Sequence, residues 1–159
     1  GIMAIEQTLI LIKPDGAKRR LTGLAIDRLD ASGLSLVGAK VVAVTESLAK
    51  EHYKDLADKP FFPNLIRYIQ GEFHKIPQRR ILALVYEGED AVKRVRALAG
   101  ATNPEQAEPG TIRGSFGRVT TEGQFENVIH ASGNAADAQR EVKLWFSAAE
   151  IVGAPLARA

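Results

Sequence analysis

A continuous apolar run near the start of the chain, TLILI at residues 8–12, constrains the fold more than any other feature. A strand with one face in water alternates apolar and polar residues, whereas a strand covered on both faces is apolar throughout. The motif KPDG follows at residues 13–16, and its Pro and Gly favour a turn. The run therefore predicts a buried central strand that ends in a turn.

Further strand and helix patterns follow along the chain. We predict strands at residues 34–44, 81–86 and 125–130, and helices at residues 21–29, 47–57, 65–69, 92–99 and 138–145. Residues 100–115 are rich in Gly, Pro, Asn and Thr and predict a long loop, which in a compact domain often carries function. Four strands with helices between them favour an α+β fold of the ferredoxin-like kind. The order of the elements leaves a small doubly wound sheet open.

The composition is that of an ordinary globular protein and excludes several kinds of site. The 159 residues are 45% hydrophobic and 25% charged, which suits one domain, placed at 3–159 with Gly1 and Ile2 as a cloning remnant. The chain has no cysteine, which excludes disulfides, zinc–thiolate sites and a thiol nucleophile and fits a reducing, cytoplasmic setting. No apolar run reaches the roughly 18 residues of a membrane span, and no signal-peptide pattern opens the chain. A net charge of +2 is too small to predict a nucleic-acid partner.

The stretch ENVIHASGN at residues 126–134 places His130 directly after two β-branched residues and before small ones. A histidine that ends a rigid strand beside open space is suited to a reacting role. We interpret His52 and His74, which lie in a helical pattern and a polar segment, as structural or solvated. No His-x-His or His-x-x-x-His pair supports a metal site. His130 is therefore the candidate reacting residue.

Several cationic or hydroxyl side chains stand at the ends of predicted elements. Lys13 ends the first strand, Arg96 lies near the end of a helix, and Thr102 and Arg113 bracket the long loop. Gathered around His130, they would bind an oxyanion or a phosphate; spread apart, the arginines would be surface charges, and the pattern leaves both interpretations open. Neither a Walker-type loop nor Gly-x-Gly-x-x-Gly occurs, so side chains would have to hold any phosphate.

Four motifs resemble those of nucleoside diphosphate kinases and occur in the family's order. They are TLILIKPDG (8–16), HYKDLADKPFFPNLI (52–66), GATNPEQAEPGTIRG (100–114), and NVIHAS with EVKLWF (127–146). The resemblance covers the chain from about Glu6 to about Val152. It implies a ferredoxin-like α/β sandwich with helices packed on a four-stranded antiparallel sheet. It also implies ping-pong transfer of the γ-phosphoryl group from a nucleoside triphosphate to a nucleoside diphosphate through a phosphohistidine, with broad base specificity.

The resemblance implies a role for each matching residue. His130 is the phosphorylated residue, Glu141 hydrogen-bonds its second ring nitrogen, and Tyr53 lies close to the transferred group. Lys13 approaches the γ-phosphate and, with Asn127, binds the ribose. Five further residues hold the rest of the nucleotide: Arg96, Thr102 and Arg113 at the phosphates, Phe61 stacked on the base and Leu65 beside it. Mg2+ bridges the nucleotide phosphates and has no protein cage.

The chain departs from the family pattern at three places. Ala131-Ser132-Gly133-Asn134 stands where the family commonly has Gly-Ser-Asp after the histidine, which puts a local contact of that loop in doubt. The segments 71–80 and 115–126 are longer than usual. We expect both to form exposed hairpin or loop extensions, which cost little stability. They would alter subunit contacts or the rim of the nucleotide cleft.

Two other classes of function stay open beside an active kinase. A catalytically idle relative would bind nucleotides or partners only, but it would more often have lost His130, Arg113 or Lys13. A single-strand nucleic-acid binder would need aromatic residues exposed on the sheet, and the strands offer few, Tyr86 and Phe125 among them. The resemblance further implies a homo-oligomer, a tetramer or hexamer built from dimers, with no membrane and no specific nucleic-acid partner.

Overall fold

The computed structural model describes residues 5–153, so the predicted cloning remnant and the last residues of the tail lie outside the described residues. The strands are β1 (Ile5–Ile12), β2 (Ser35–Ala43), β3 (Arg80–Glu89), β4 (Arg118–Val119), β5 (Phe125–Glu126) and β6 (Ile129–Ala131). The helices are α1 (Pro14–Lys18), α2 (Thr22–Ala31), α3 (Glu46–His52), α4 (Phe62–Ile69), α5 (Ala91–Ala99), α6 (Ile112–Phe116) and α7 (Ala135–Trp145).

The main sheet has four strands in the order β2-β3-β1-β6, and every neighbouring pair is antiparallel. A doubly wound fold requires parallel neighbours, so that alternative is excluded. Strands β4 and β5 form a separate two-stranded hairpin. The prediction of an α+β, ferredoxin-like sandwich on a four-stranded antiparallel sheet is confirmed.

Strand β1 lies inside the sheet, as its apolar sequence predicts. Leu9 and Leu11 are fully buried in a core that α3, α4 and α7 complete on one face. Ile10 and Ile12 are equally buried on the opposite face, against residues of α2 and α5. Because alternate residues of a strand point to opposite faces, a strand covered on both sides has to be apolar at every position.

The prediction of one strand over residues 125–130 is wrong. Phe125 and Glu126 pair with β4, whereas residues 129–131 pair with β1, and the chain bends between them at Val128, whose φ is 72°. The bend is held by the KPD motif. A carboxylate oxygen of Asp15 accepts the Val128 amide at 3.0 Å, and the Lys13 amide donates to the Val128 carbonyl at 2.9 Å. These hydrogen bonds hold Val128 in a positive-φ backbone conformation that β-branched side chains disfavour.

Other predicted boundaries also shift. The turn predicted at residues 13–16 is instead the start of helix α1, with Lys13 as its N-cap and Pro14 at its first position, where the missing amide of proline costs nothing. The predicted helix over 47–57 ends at His52, and a separate 3-10 turn follows at Lys54–Leu56. The predicted loop 100–115 contains a 3-10 turn and most of α6. Of the two longer segments, 71–80 folds as turns and 115–126 contains the β4–β5 hairpin.

Replacing Gly16 by alanine should destabilise the fold, because a Cβ at this position would lie 2.7 Å from the Val128 carbonyl oxygen. We expect the free energy of unfolding to fall by about 1–3 kcal/mol, as overpacking typically costs. The matched control is Gly23→Ala in helix α2, where nothing lies within 4 Å of an added Cβ. Urea denaturation of both variants provides the measurement. Equal stabilities would contradict the close approach at Val128.

Candidate active site

A cleft of about 460 Å³ opens beside His130, and it brings together every residue predicted for the site. The sequence left open whether the arginines gather around the histidine or lie apart, and the fold places Arg96 and Arg113 in the same cleft wall. The predicted residues that line it are Lys13, Tyr53, Phe61, Leu65, Arg96, Thr102, Arg113, Asn127, His130 and Glu141.

The imidazole of His130 is held from one side. Its Nε2 lies 2.6 Å from a carboxylate oxygen of Glu141, on helix α7. The Ser132 hydroxyl donates to the same oxygen at 3.0 Å and accepts the Leu9 amide at 3.1 Å, which ties the pair to the central strand. Nδ1 of His130 makes no hydrogen bond within residues 5–153, and the residue lines the cleft. One ring nitrogen is thus anchored and the other is left to react.

A second histidine supports the first. The ring of His52 meets that of His130 edge-on, with centroids 4.5 Å apart, and His52 is only 4% exposed. Trp145 donates its indole N–H to Nδ1 of His52 at 3.0 Å, which places the His52 proton on Nε2. The interpretation of His52 as structural fits this geometry. The sequence did not predict that His52 contacts His130. A signal was present, because Glu141 and Trp145 lie four residues apart on one helix face, and the first contacts His130 while the second contacts His52.

Two cations of the cleft, Lys13 and Arg113, are fixed by amide and backbone oxygens. The Lys13 ammonium donates to the side-chain oxygen of Asn127 at 2.8 Å, and the Asn127 amide donates to the Thr102 carbonyl at 2.9 Å. Arg113, 3% exposed, donates to the carbonyls of Gly100 and Ile129 at 3.0 and 2.9 Å. These bonds hold the charges of Lys13 and Arg113 in place before any ligand arrives.

Two buried donor groups in the cleft wall have no partner within residues 5–153. They are the Tyr53 hydroxyl and Nε of Arg113. Buried polar groups are rarely left without a hydrogen bond, so unsatisfied donors beside fixed cations suit an anionic ligand.

Burial and charge repulsion lower the pKa values of three basic groups of the site, His130, Lys13 and Arg113. Burial, reinforced by the charges of Lys13, Arg113 and Arg96, holds the pKa of His130 well below its usual value. Burial and the neighbouring Arg113 lower the pKa of Lys13 to about 8. Burial, with Arg96, lowers the pKa of Arg113 to about 10. Near pH 7 the site therefore contains a neutral imidazole among positive charges that an anion would stabilise.

The far end of the cleft is apolar. Phe61 is 52% exposed, and Leu65 and Leu56 lie half-buried beside it in the wall. The hairpin residues Gly123–Phe125 complete the rim and were not predicted. An exposed aromatic ring at the edge of a polar cleft is suited to stack on a planar ring of a ligand.

The loop after His130, where the sequence departs from the family pattern, ends in the N-cap of helix α7. The side-chain oxygen of Asn134 accepts the Asp137 amide at 2.8 Å, the N-cap contact that starts helix α7. Helix α7 carries Glu141, which bonds His130. Asn134 therefore supports that contact by capping the helix and does not bond His130 itself.

Comparison with known proteins decides the family. A sequence model described as nucleoside diphosphate kinase matches residues 6–151. The chain belongs to the nucleoside diphosphate kinase family. It is therefore an enzyme of the transferase class, and the kinase function that the motifs implied is supported.

Individual relatives match over nearly their whole length. The nucleoside diphosphate kinase of Staphylococcus haemolyticus is 45% identical over 92% of this chain and 91% of its own. That of Symbiobacterium thermophilum is 43% identical over 92% of this chain and 90% of its own. The Borrelia burgdorferi enzyme, solved as a transition-state mimic with bound vanadate and ADP, superposes with a TM-score of 0.83 at 37% identity, covering 96% and 93% of the two chains. The Halobacterium salinarum enzyme in complex with CDP gives 0.81 at 39% identity over 94% and 93%.

Residues 5–153 contain no helix with the length and apolar content needed to cross a membrane.

The pH dependence of kcat/KM should reflect these shifts in the free enzyme. The role that the resemblance implies for His130 requires a neutral imidazole, so the acidic limb should lie well below pH 6.5, the usual pKa of histidine. The role implied for Lys13 requires a charged ammonium, so activity should fall as the pH rises through about 8. Lys13→Arg should move this alkaline limb to higher pH, even if the maximal rate of the variant is lower, because a guanidinium keeps its proton. An unchanged alkaline limb in this variant would contradict the assignment to Lys13.

Proposed function

We propose that this kinase transfers the γ-phosphoryl group of a nucleoside triphosphate to a nucleoside diphosphate through a phosphohistidine on His130. The observation that carries the proposal is the asymmetry of this imidazole, with Nε2 bound to Glu141 at 2.6 Å and Nδ1 free in a cleft lined by cations. Transfer through an enzyme intermediate allows one cleft to serve donor and acceptor in turn.

In the first step, the lone pair of Nδ1 attacks the γ-phosphorus of the bound triphosphate. A nitrogen–phosphorus bond forms, and the bond to the bridging oxygen breaks, so the diphosphate leaves with that electron pair. The ring becomes cationic, and the carboxylate of Glu141 at Nε2 stabilises it, since a carboxylate partner fixes the tautomer and offsets the new charge. The second step reverses these events, with a different diphosphate as the attacking group.

The remaining cleft residues position the nucleotide. Phosphoryl transfer depends mainly on placement and charge neutralisation, which Lys13, Arg96 and Arg113 supply together with the hydroxyl of Thr102. The Tyr53 hydroxyl, without a partner in residues 5–153, is a donor for the transferred group. Phe61 would stack on the base and Leu65 would pack beside it. Stacking discriminates weakly between bases, which supports broad specificity.

Asn127 is proposed to bind the ribose together with Lys13. Its amide already bonds Lys13 and the Thr102 carbonyl, so a ribose contact would share or exchange these hydrogen bonds. Asn127 thus links the residue proposed at the ribose to the loop proposed at the phosphates.

Mg2+ is proposed to bind through the nucleotide phosphates and to neutralise part of their charge. Its preferred ligands are oxygens, and the carboxylates of the cleft wall are engaged, Glu141 with His130 and Ser132 and Asp137 with Asn134. The cluster of His52, His130 and Glu141 offers two nitrogens and one oxygen, a donor set poorly matched to Mg2+. The described residues therefore suit a metal that arrives with the substrate.

We also propose that residues 3–159 are a single kinase domain in a cytoplasmic homo-oligomer, a tetramer or hexamer built from dimers. The family match over residues 6–151 supports one domain. Leu36 and Val41, 45% and 67% exposed, lie on the edge strand β2, and exposed apolar residues on a sheet edge favour association. The lack of cysteine supports a reducing compartment.

Incubation with γ-labelled ATP tests the intermediate. The protein should take up a label that is labile in acid and stable in base, and His130→Ala should take up none. Gln139→Ala is the control, because Gln139 is exposed on α7 and does not line the cleft. Equal labelling of the wild type and His130→Ala would refute the phosphohistidine.

Arg113→Ala should lower kcat by about 100-fold or more, the usual effect of removing a donor that stabilises transition-state charge. Arg28, an exposed arginine with one weak contact to the Gly110 carbonyl at 3.3 Å, provides the control substitution Arg28→Ala. Steady-state rates with ATP and a second diphosphate measure both. A rate for Arg113→Ala within twofold of the wild type would exclude this role.

A further inference from the structure

The hairpin of β4 and β5 belongs to the segment that is longer than the family pattern, and it reaches the cleft. Its turn is closed by two hydrogen bonds, from the Thr120 amide to the Gln124 carbonyl at 2.9 Å and from the Gln124 amide to the Thr120 hydroxyl at 3.0 Å. Gly123 adopts a φ of 82°, which glycine accommodates without strain. This closed turn places Gly123, Gln124 and Phe125 in the cleft wall that also contains Phe61.

Gln124 is chemically distinct from the rest of that end of the cleft. Its neighbours in the wall, Phe61, Leu65 and Phe125, are apolar, and they interact with any base in much the same way. Gln124 is half-buried, and its side-chain amide makes no hydrogen bond within residues 5–153. It therefore offers both a donor and an acceptor to a ligand at the apolar end of the cleft.

The hairpin is held in place by a buried carboxylate. Glu126, the last residue of β5, is 4% exposed. One of its oxygens lies 3.1 Å from Nε2 of His74, which comes from the other long segment, and Arg118 of β4 donates from Nε at 3.2 Å. Burial opposes the charge of Glu126, but the hydrogen bonds from His74 and Arg118 outweigh it and hold the pKa of its carboxyl below the usual value. Glu126 thus joins the two extensions as a clamp.

The clamp adjoins the catalytic strand. Glu126 directly precedes Asn127, which holds Lys13, and the bend at Val128 follows. The ring of His74 packs edge-on against Tyr68, at 5.7 Å between centroids, and the Tyr68 hydroxyl donates to Asp15. The position of the hairpin is therefore set relative to the same residues that place the reacting histidine.

We propose that the β4–β5 hairpin is the specificity-determining wall of the nucleotide cleft, with Gln124 contacting the base edge and His74 and Arg118 acting as positioning residues through Glu126. This inference rests on the proposed function, since it assigns the apolar end of the cleft to the base. An amide pairs bidentately with N6 and N7 of adenine, whereas guanine presents two acceptors at the corresponding edge. Gln124 should therefore favour adenine over guanine within an otherwise broad specificity.

The first experiment measures the ratio of kcat/KM for ATP to that for GTP, with one common acceptor. Gln124→Ala should reduce this ratio by about threefold or more, a lower bound for losing a bidentate contact at a partly exposed site. The matched control is Gln139→Ala on α7, an exposed glutamine that does not line the cleft, and its ratio should equal that of the wild type. An unchanged ratio in Gln124→Ala overturns the proposal.

The second experiment tests the clamp. Glu126→Gln and Arg118→Gln should raise KM for nucleotides by about threefold or more and reduce the ATP-to-GTP ratio, while the saturating rate of enzyme phosphorylation stays near that of the wild type. Arg118 has a largely exposed side chain, so its variant should fold even if Glu126→Gln does not. Glu72→Gln, which breaks an exposed ion pair with Arg67 in the same long segment, is the control. Wild-type KM and ratio in both clamp variants overturn the positioning role.

The labelling assay separates this inference from the proposed function. If His130→Ala abolishes the phosphoenzyme and Gln124→Ala leaves the base ratio unchanged, the hairpin inference fails alone. If the wild type forms no phosphoenzyme, the proposed function fails first.

Discussion

The hydrogen bond from the Val128 amide to Asp15 is the interaction on which the site depends. In an uninterrupted strand, residues 127 and 130 would point to opposite faces, because they are an odd number of positions apart. The bend at Val128 breaks this alternation, so Asn127 and His130 both line the cleft. It also separates β5, which builds the rim, from β6, which carries the histidine. A buried carboxyl whose pKa is raised by burial holds this bend, and Tyr68 satisfies its other oxygen.

The electrostatics of the cleft follow from the same packing. Lys13 and Arg113 are almost completely buried, and this burial, reinforced by the neighbouring positive charges, lowers the pKa of each side chain. Such an arrangement is unfavourable in the free protein and is relieved by a polyanion. Burial and the same charges also hold the pKa of His130 well below its usual value, so its imidazole is neutral near pH 7. One set of buried charges thus serves both parts of the proposed function, the neutral imidazole and the binding of phosphates.

The support behind His130 separates anchoring from reaction. Helix α7 begins at the Asn134 cap and presents Glu141 and Trp145 on one face, so that one contacts His130 and the other fixes His52. Ser132 ties Glu141 to the central strand. Because Nε2 is held in this way, the ring is oriented with Nδ1 as the nitrogen available to a ligand, as the proposed function requires.

The sequence by itself determined the central strand and, through its family motifs, the class of fold and ten residues of the cleft. An apolar run such as TLILI has to be buried on both faces. Lys13, Arg113 and His130 belong to motifs that can be recognised in the sequence alone. Only the tertiary structure decided four features: the bend at Val128, the contact of the His52 ring with His130, the hydrogen bonds of the Asn127 amide to Lys13 and Thr102, and the position of Gln124 in the cleft wall. Each of these arises from contacts between residues far apart in the chain, such as Asp15 with Val128 or His74 with Glu126. Local periodicity carries no record of such contacts, because a side chain's partners are set by how the layers pack.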